Sequence, residues 1–143
     1  MSDQFAKDAL LPIQVAQIQA LRADPELMSM LSGDGVFDHV PEGTPRPYIV
    51  VGEAIETPSN SHQRYGKQAV ATNHVWSENK GYREALLILN RMVAVLEQQP
   101  LMVEGFHHVS TKFEFSQTLR DPDPKIRHAL ARFRITVQQG PRF

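Results

Sequence analysis

Six histidines are the first side chains whose chemistry invites a test. Imidazoles that ligate one metal recur at i and i+2 on a strand or at i and i+4 on a helix. His107 and His108 are adjacent, so on a strand they point to opposite faces, and His39, His62, His74 and His128 sit in separate segments with no HxH or HExxH spacing. The spacing points to structural or surface histidines, with no metal site and no cofactor. Ser59, Ser61, Ser77, Ser110 and Ser116 lie in turns or on polar strand positions, and no GxSxG selects a nucleophile among them. Asp121 and Asp123 could in principle serve acid–base work or a hard cation, but between Pro122 and Pro124 they more simply accept backbone hydrogen bonds in a turn. Gly33-Asp34-Gly35 follows a helical pattern instead of opening one, which suits a turn and not a phosphate loop. The chain has no cysteine, which excludes disulfides, thiolate metal sites and cysteine nucleophiles and favours assembly in a reducing compartment.

The elements that must carry these residues are legible from periodicity. Leu11, Val15, Ile18 and Leu21, then Leu27, Met28 and Leu31, recur at helical spacing, with Asp24-Pro25 as cap and first turn, so two short helices are predicted. Three prolines in residues 41–47 hold the backbone extended and lead into a β-branched strand at Tyr48–Glu53. Residues 57–67 have no period and read as a mobile polar loop. The next strand has Ala69, Ala71, Asn73 and Val75 on one side and Val70, Thr72, His74 and Trp76 on the other. Ala85, Leu86, Leu89, Met92, Val93 and Leu96 form one stripe on a helix from Tyr82 to Glu97. In residues 108–119 the apolar odd positions Val109, Phe113, Phe115 and Leu119 predict one core face. The same parity returns at Ala129, Ala131, Phe133, Ile135 and Val137 after the Pro/Asp turn, making an antiparallel hairpin.

The predicted fold class is therefore α+β: N-terminal helices, an antiparallel sheet of about four main strands in two hairpins, and one long amphipathic helix packed on the sheet. At 143 residues the chain reads as a single domain, 1–143, with flexible ends at 1–9 and 139–143. Fifteen Lys and Arg against sixteen Asp and Glu give a formal charge of −1, so no global positive field recruits nucleic acid or an anionic membrane. The polar N-terminus, MSDQFAKDALLPIQ, builds neither a secretory signal nor a membrane span, and the reading is of a soluble protein. The second sheet face carries Lys112, Glu114, Arg132 and Arg134, both signs together, which fits a salt-bridged protein interface better than a nucleic-acid groove. His62, Arg64 and Tyr65 in the polar loop are the other interface candidates.

Three colinear stretches resemble one family. They are Val36–Glu53 (VFDHVPEGTPRPYIVVGE), His74–Ser77 with Gly81–Ala85, and Thr118–Asp123 followed by Arg127-His128 and Arg132–Arg134. Together they are similar to the tail-completion (tail-terminator, tail-to-head joining) proteins of long-tailed bacteriophages and prophages, over about Leu10 to Val137. The departures are Pro124-Lys125-Ile126, where such proteins often have a glycine-containing turn, and the residues before Leu10.

That resemblance implies a non-enzymatic virion component, assembled in the host cytoplasm. It would form a ring, usually a hexamer, at the head-proximal end of the tail tube. The ring stops tube polymerisation and meets the head–tail connector or head-closure protein, while DNA passes through its lumen without specific binding. No membrane partner and no catalytic residue is implied. Two alternatives stay open from the residues alone: a head-closure or adaptor ring, and a small α+β enzyme or ligand-binding domain in which His74, His108 and Asp121 converge by folding.

Overall fold

A computed structural model describes residues 5–141. Helix α1 spans Leu10–Arg22 and α2 Pro25–Met30, the latter opened by Pro25 behind Asp24, whose carboxylate accepts the Leu27 N–H at 2.9 Å. Gly35 ends this segment with φ +69°, where a Cβ would meet Leu31 Cβ at 2.8 Å, so the chain leaves α2 through a position that suits glycine. The strands are β1 (Val36–Phe37), β2 (Tyr48–Pro58), β3 (Arg64–Ser77), β4 (His107–Arg120) and β5 (Arg127–Pro141), with α3 (Arg83–Leu96) between β3 and β4.

The fold class is α+β, and the sheet has five strands in the order β1-β2-β3-β5-β4. β2 with β3, and β4 with β5, form antiparallel hairpins, and β5 lies between β3 and β4. The sheet is mixed and not wholly antiparallel, because β1 pairs parallel to β2 at Val36↔Ile49 and Phe37↔Val50. A two-residue strand leaves no alternation to read in the sequence.

Helices α1 and α3 lie on one sheet face. Ile13, Leu21, Leu27, Ile88, Met92 and Leu96 meet Ile49, Val75, Phe133 and Ile135 there in one continuous core. α1 turns a different side inward from the one its large apolar residues mark. Leu11 and Val15 are exposed, while Ile13, Ala16, Gln17 and Leu21 are buried. Small Ala16 permits close approach, and the Gln17 amide accepts a hydrogen bond from Asn73 Nδ2 at 3.0 Å inside the core. On α3, Ile88 is buried where the expected stripe has Leu86, which is exposed.

The polar stretch expected as a loop over 57–67 is mostly strand. Thr57 pairs with Gln68 and Pro58 with Lys67, leaving 59–63 as the turn. Ser59 N–H donates to Gly66 O at 2.9 Å and Gly66 N–H to Asn60 Oδ1 at 3.0 Å, so local polar groups satisfy the backbone. The chain ends expected to be flexible, 1–9 and 139–143, meet one another at Gln139. Gln139 is fully buried, its amide accepting from Lys7 N and donating to Phe5 O, each at 2.8 Å. Residues 1–4 and 142–143, the remainder of those ends, lie outside the described residues.

The single core face read over 108–119 is broken twice. Register shifts between His108 and Ser110 and between Phe113 and Phe115 each reverse which side of the sheet a given parity faces. Phe113 pairs with core Phe133, but Phe115 pairs with Arg132 on the opposite face. Val109 stands 52% exposed, and Thr111 is the buried residue of the strand.

Candidate functional site on the open sheet face

Because the helices gather on one face, the other is built from the even residues of β3 and β5 and, among the described residues, has no helix over it. At its centre Arg134 Nε donates to Glu114 Oε2 and Arg134 NH1 to Gln68 Oε1, both at 2.7 Å. Lys112 sits opposite Arg134 in register. Arg132 Cζ lies 4.6 Å from the Phe115 ring centroid, and Arg132 Nε is buried with no hydrogen-bond partner. The four charged residues named from the sequence for this face are thus brought together.

His62, Arg64 and Tyr65 are elsewhere, at the β2–β3 turn. Arg64 is eight strand positions from Thr72, the partner of Arg132, which is roughly 27 Å along the sheet. Arg64 NH1 donates to Gln139 O at 3.3 Å, which ties this tip to the end of β5, and His62 is exposed.

At the opposite end of the open face a second cluster joins three strands. His74 Nε2 lies 2.8 Å from Glu53 Oε1, and His74 Nδ1 lies 2.7 Å from His128 Nε2. An ionised carboxylate only accepts, so Nε2 of His74 donates to Glu53. The His128 ring stacks on Trp76 with centroids 3.8 Å apart and planes 10° from parallel. The hydrogen bond from His74 holds the Glu53 carboxyl below its ordinary range, and burial, then the neighbouring His74, holds His128 below the usual imidazole value. These groups bond to one another in series and do not surround a common point. Among the described residues no three His, Asp or Glu side chains are grouped to hold a metal ion. The parity of β3 placed His74 and Trp76 on one face, but their meeting with His128 and Glu53 depends on register, which the sequence does not display.

The convergence of His74, His108 and Asp121 does not occur. His74 pairs with Leu130 and His108 with Val137, seven positions apart on β5 and on opposite faces. His108 is held by Thr111 Oγ1 at 2.7 Å, and burial keeps its pKa below the ordinary imidazole value. Asp121 Oδ1 accepts from Asp123 N, and Asp123 Oδ1 from Lys125 N, each at 2.9 Å, as the turn reading requires. No helix among the described residues is long and apolar enough to cross a membrane.

Comparison with known proteins places this geometry. A solved structure, from "Virion of native gene transfer agent (GTA) particle", superposes with TM-score 0.85 over 93% of this chain and 99% of that one, at 22% identity, and shares the fold. The tail completion protein gp17 of Bacillus phage SPP1 is 30% identical over 128 residues, covering 90% of this chain and 93% of that protein. The family pattern of tail completion protein gp17 matches residues 15–138, and on these grounds the chain belongs to that family.

Proposed function

We propose that this protein closes the head-proximal end of a phage tail tube as a ring of six copies, ending tube polymerisation and offering a surface to the head connector. Family membership makes it a structural virion protein of the tail and not an enzyme. The observation that carries the ring reading is the uncovered sheet face with Lys112, Glu114, Arg132 and Arg134 at its centre. A ring needs two different patches of one subunit to meet on neighbours, and a mixed-charge face gives such a contact orientation and specificity. The β2–β3 tip with His62, Arg64 and Tyr65 is the part that reaches a neighbour or the tube. A net charge of −1 suits a lumen through which DNA passes without being held. The protein assembles in the host cytoplasm and resides in the virion at the head end of the tail.

The test is to mix purified protein with purified tail tubes and image them by electron microscopy. Annuli seated on one end of the tubes, which then stop growing, are expected. Bare tube ends, with binding to portal complexes instead, would move the protein to the adaptor position.

A further inference from the structure

We propose that neighbouring copies join edge to edge, the outer side of β4 in one copy pairing with the outer side of β2 in the next, so that the ring is one continuous sheet. This rests on the ring reading and adds to the charged open face, which orients neighbours, a strand-to-strand contact at the sheet edges.

β4 ends the sheet, and among the described residues its outer side is hydrogen-bonded where the chain returns from α3. There Gln98 N–H donates to Thr111 O at 2.8 Å and the Glu97 carboxylate accepts the Phe113 N–H. Beyond the bulge, Phe115-Ser116-Gln117-Thr118 has no strand on its outer side among the described residues and contains no proline, lysine or other charge. At the other edge β1 pairs only with Ile49 and Val50. Ala54-Ile55-Glu56-Thr57, between the Val51/Ala54 register shift and Pro58, has no strand on its outer side among the described residues, and its Glu56 carboxylate accepts the Ala9 N–H at 2.9 Å. Soluble proteins blunt such edges with bulges, prolines and charge. Here the bulges and Pro58 frame two unpaired windows of equal length, the β4 one without a charge and the β2 one with Glu56 alone.

Three relationships make the windows complementary. β2 runs antiparallel to β3, β3 to β5 and β5 to β4, so continuing the sheet sets β4 antiparallel to the next β2. Ile55 pairs with Val70 and Phe115 with Arg132, which puts both side chains on the open face, where they are 72% and 36% exposed. Full antiparallel overlap of the windows sets Ile55 opposite Gln117 and Thr57 opposite Phe115, so Ile55 and Phe115 are diagonal neighbours on one face and remove apolar surface from water. Glu53 stands beside the β2 window and Arg120 beside the β4 window, opposite charges at the same end of the joint in the antiparallel sense. The contact joins two different edges, so it is head-to-tail and closes when the rotation divides the circle.

The absence of native cysteine makes the test clean. Opposed residues of an antiparallel pair have Cα atoms about 4.5–5.5 Å apart, within disulfide reach. The double variant Ile55→Cys/Gln117→Cys, concentrated and mildly oxidised, is expected to give a ladder of covalent multimers ending at the ring size. Each single variant is expected to give no covalent multimer. Ile55→Cys/Phe115→Cys probes the register two residues away. Rings seen by light scattering and microscopy with neither double variant cross-linked would overturn edge pairing and leave the ring standing. Efficient dimers from a single-cysteine variant would overturn the head-to-tail sense. Absence of rings at any concentration and on tube ends would overturn both readings. Phe115→Lys, checked by circular dichroism to keep its fold, is expected to raise the assembly concentration about tenfold or more; assembly unchanged by it would count against the joint.

Discussion

Phe115 faces Arg132 and not the core, although two residues earlier Phe113 meets Phe133 edge-on at 5.9 Å between centroids. The register shift between Phe113 and Phe115 turns the later ring to the open face, where the Arg132 guanidinium covers it. One extra residue thus converts a core candidate into part of an exposed cation–aromatic patch beside the Arg134–Glu114 pair.

Arg132→Glu reverses a charge at the centre of that face without touching the core. The expected outcome is self-association weakened by roughly tenfold or more, with thermal unfolding lowered only modestly, by the lost guanidinium contact with the Phe115 ring. Sedimentation against concentration measures it, and unchanged assembly would remove Arg132 from the interface.

The Asp24 carboxylate both caps α2 and receives Arg91 Nε and NH2 from α3, each at 2.8 Å. Asp24→Ala should cost about 1–2 kcal/mol in urea unfolding, chiefly through the lost cap. Asp24→Asn keeps a capping oxygen and should cost less. Combining Asp24→Ala with Arg91→Ala should cost less than the sum of the two single changes, because each alone already removes the pair.

Acid should weaken the fold in two stages. Burial holds His108 and His128 below the ordinary value of about 6.5, so as pH falls through and below that value the unfolded chain takes up protons that the fold resists. Stability is therefore lost through that window until the folded groups also titrate. Hydrogen bonds from Arg91 and His74 lower Asp24 and Glu53, and their contribution, present above the unfolded carboxylate values near 4, is lost as pH falls through the folded ones. Glu56, raised by burial, runs the other way and gives up stability as pH rises through its folded value. Melting temperature against pH checks this. Replacing His128 by Phe, which keeps a ring over Trp76, should flatten the slope between pH 7 and 5.

Gln139 holds the N-terminal segment through both ends of one buried amide. Gln139→Ala should cost about 1–3 kcal/mol, because it removes two hydrogen bonds of roughly 0.5–1.5 kcal/mol each to the Phe5 and Lys7 backbone. Hydrogen exchange at residues 5–9 should accelerate more than in β3; equal protection would mean that other contacts hold the segment.

Alternation and helical spacing in the sequence by themselves determined the element types: the hairpin strands of Ala69–Val75 and Ala129–Val137, the Asp24-Pro25 helix start, the α3 helix, and the turn built on Asp121 and Asp123. They also brought Lys112, Glu114, Arg132 and Arg134 onto one face, since each strand's period is local and needs no partner to be read. Tertiary structure alone decided which side of α1 is buried, because Leu11–Val15 and Ile13–Leu21 both recur at helical spacing and only the sheet chooses between them. It decided the parallel pairing of β1, the bulges of β4 and the meeting of Glu53, His74, Trp76 and His128, all of which are matters of register between strands distant in sequence. Register is settled by the whole buried face at once, so no single stretch of chain contains it.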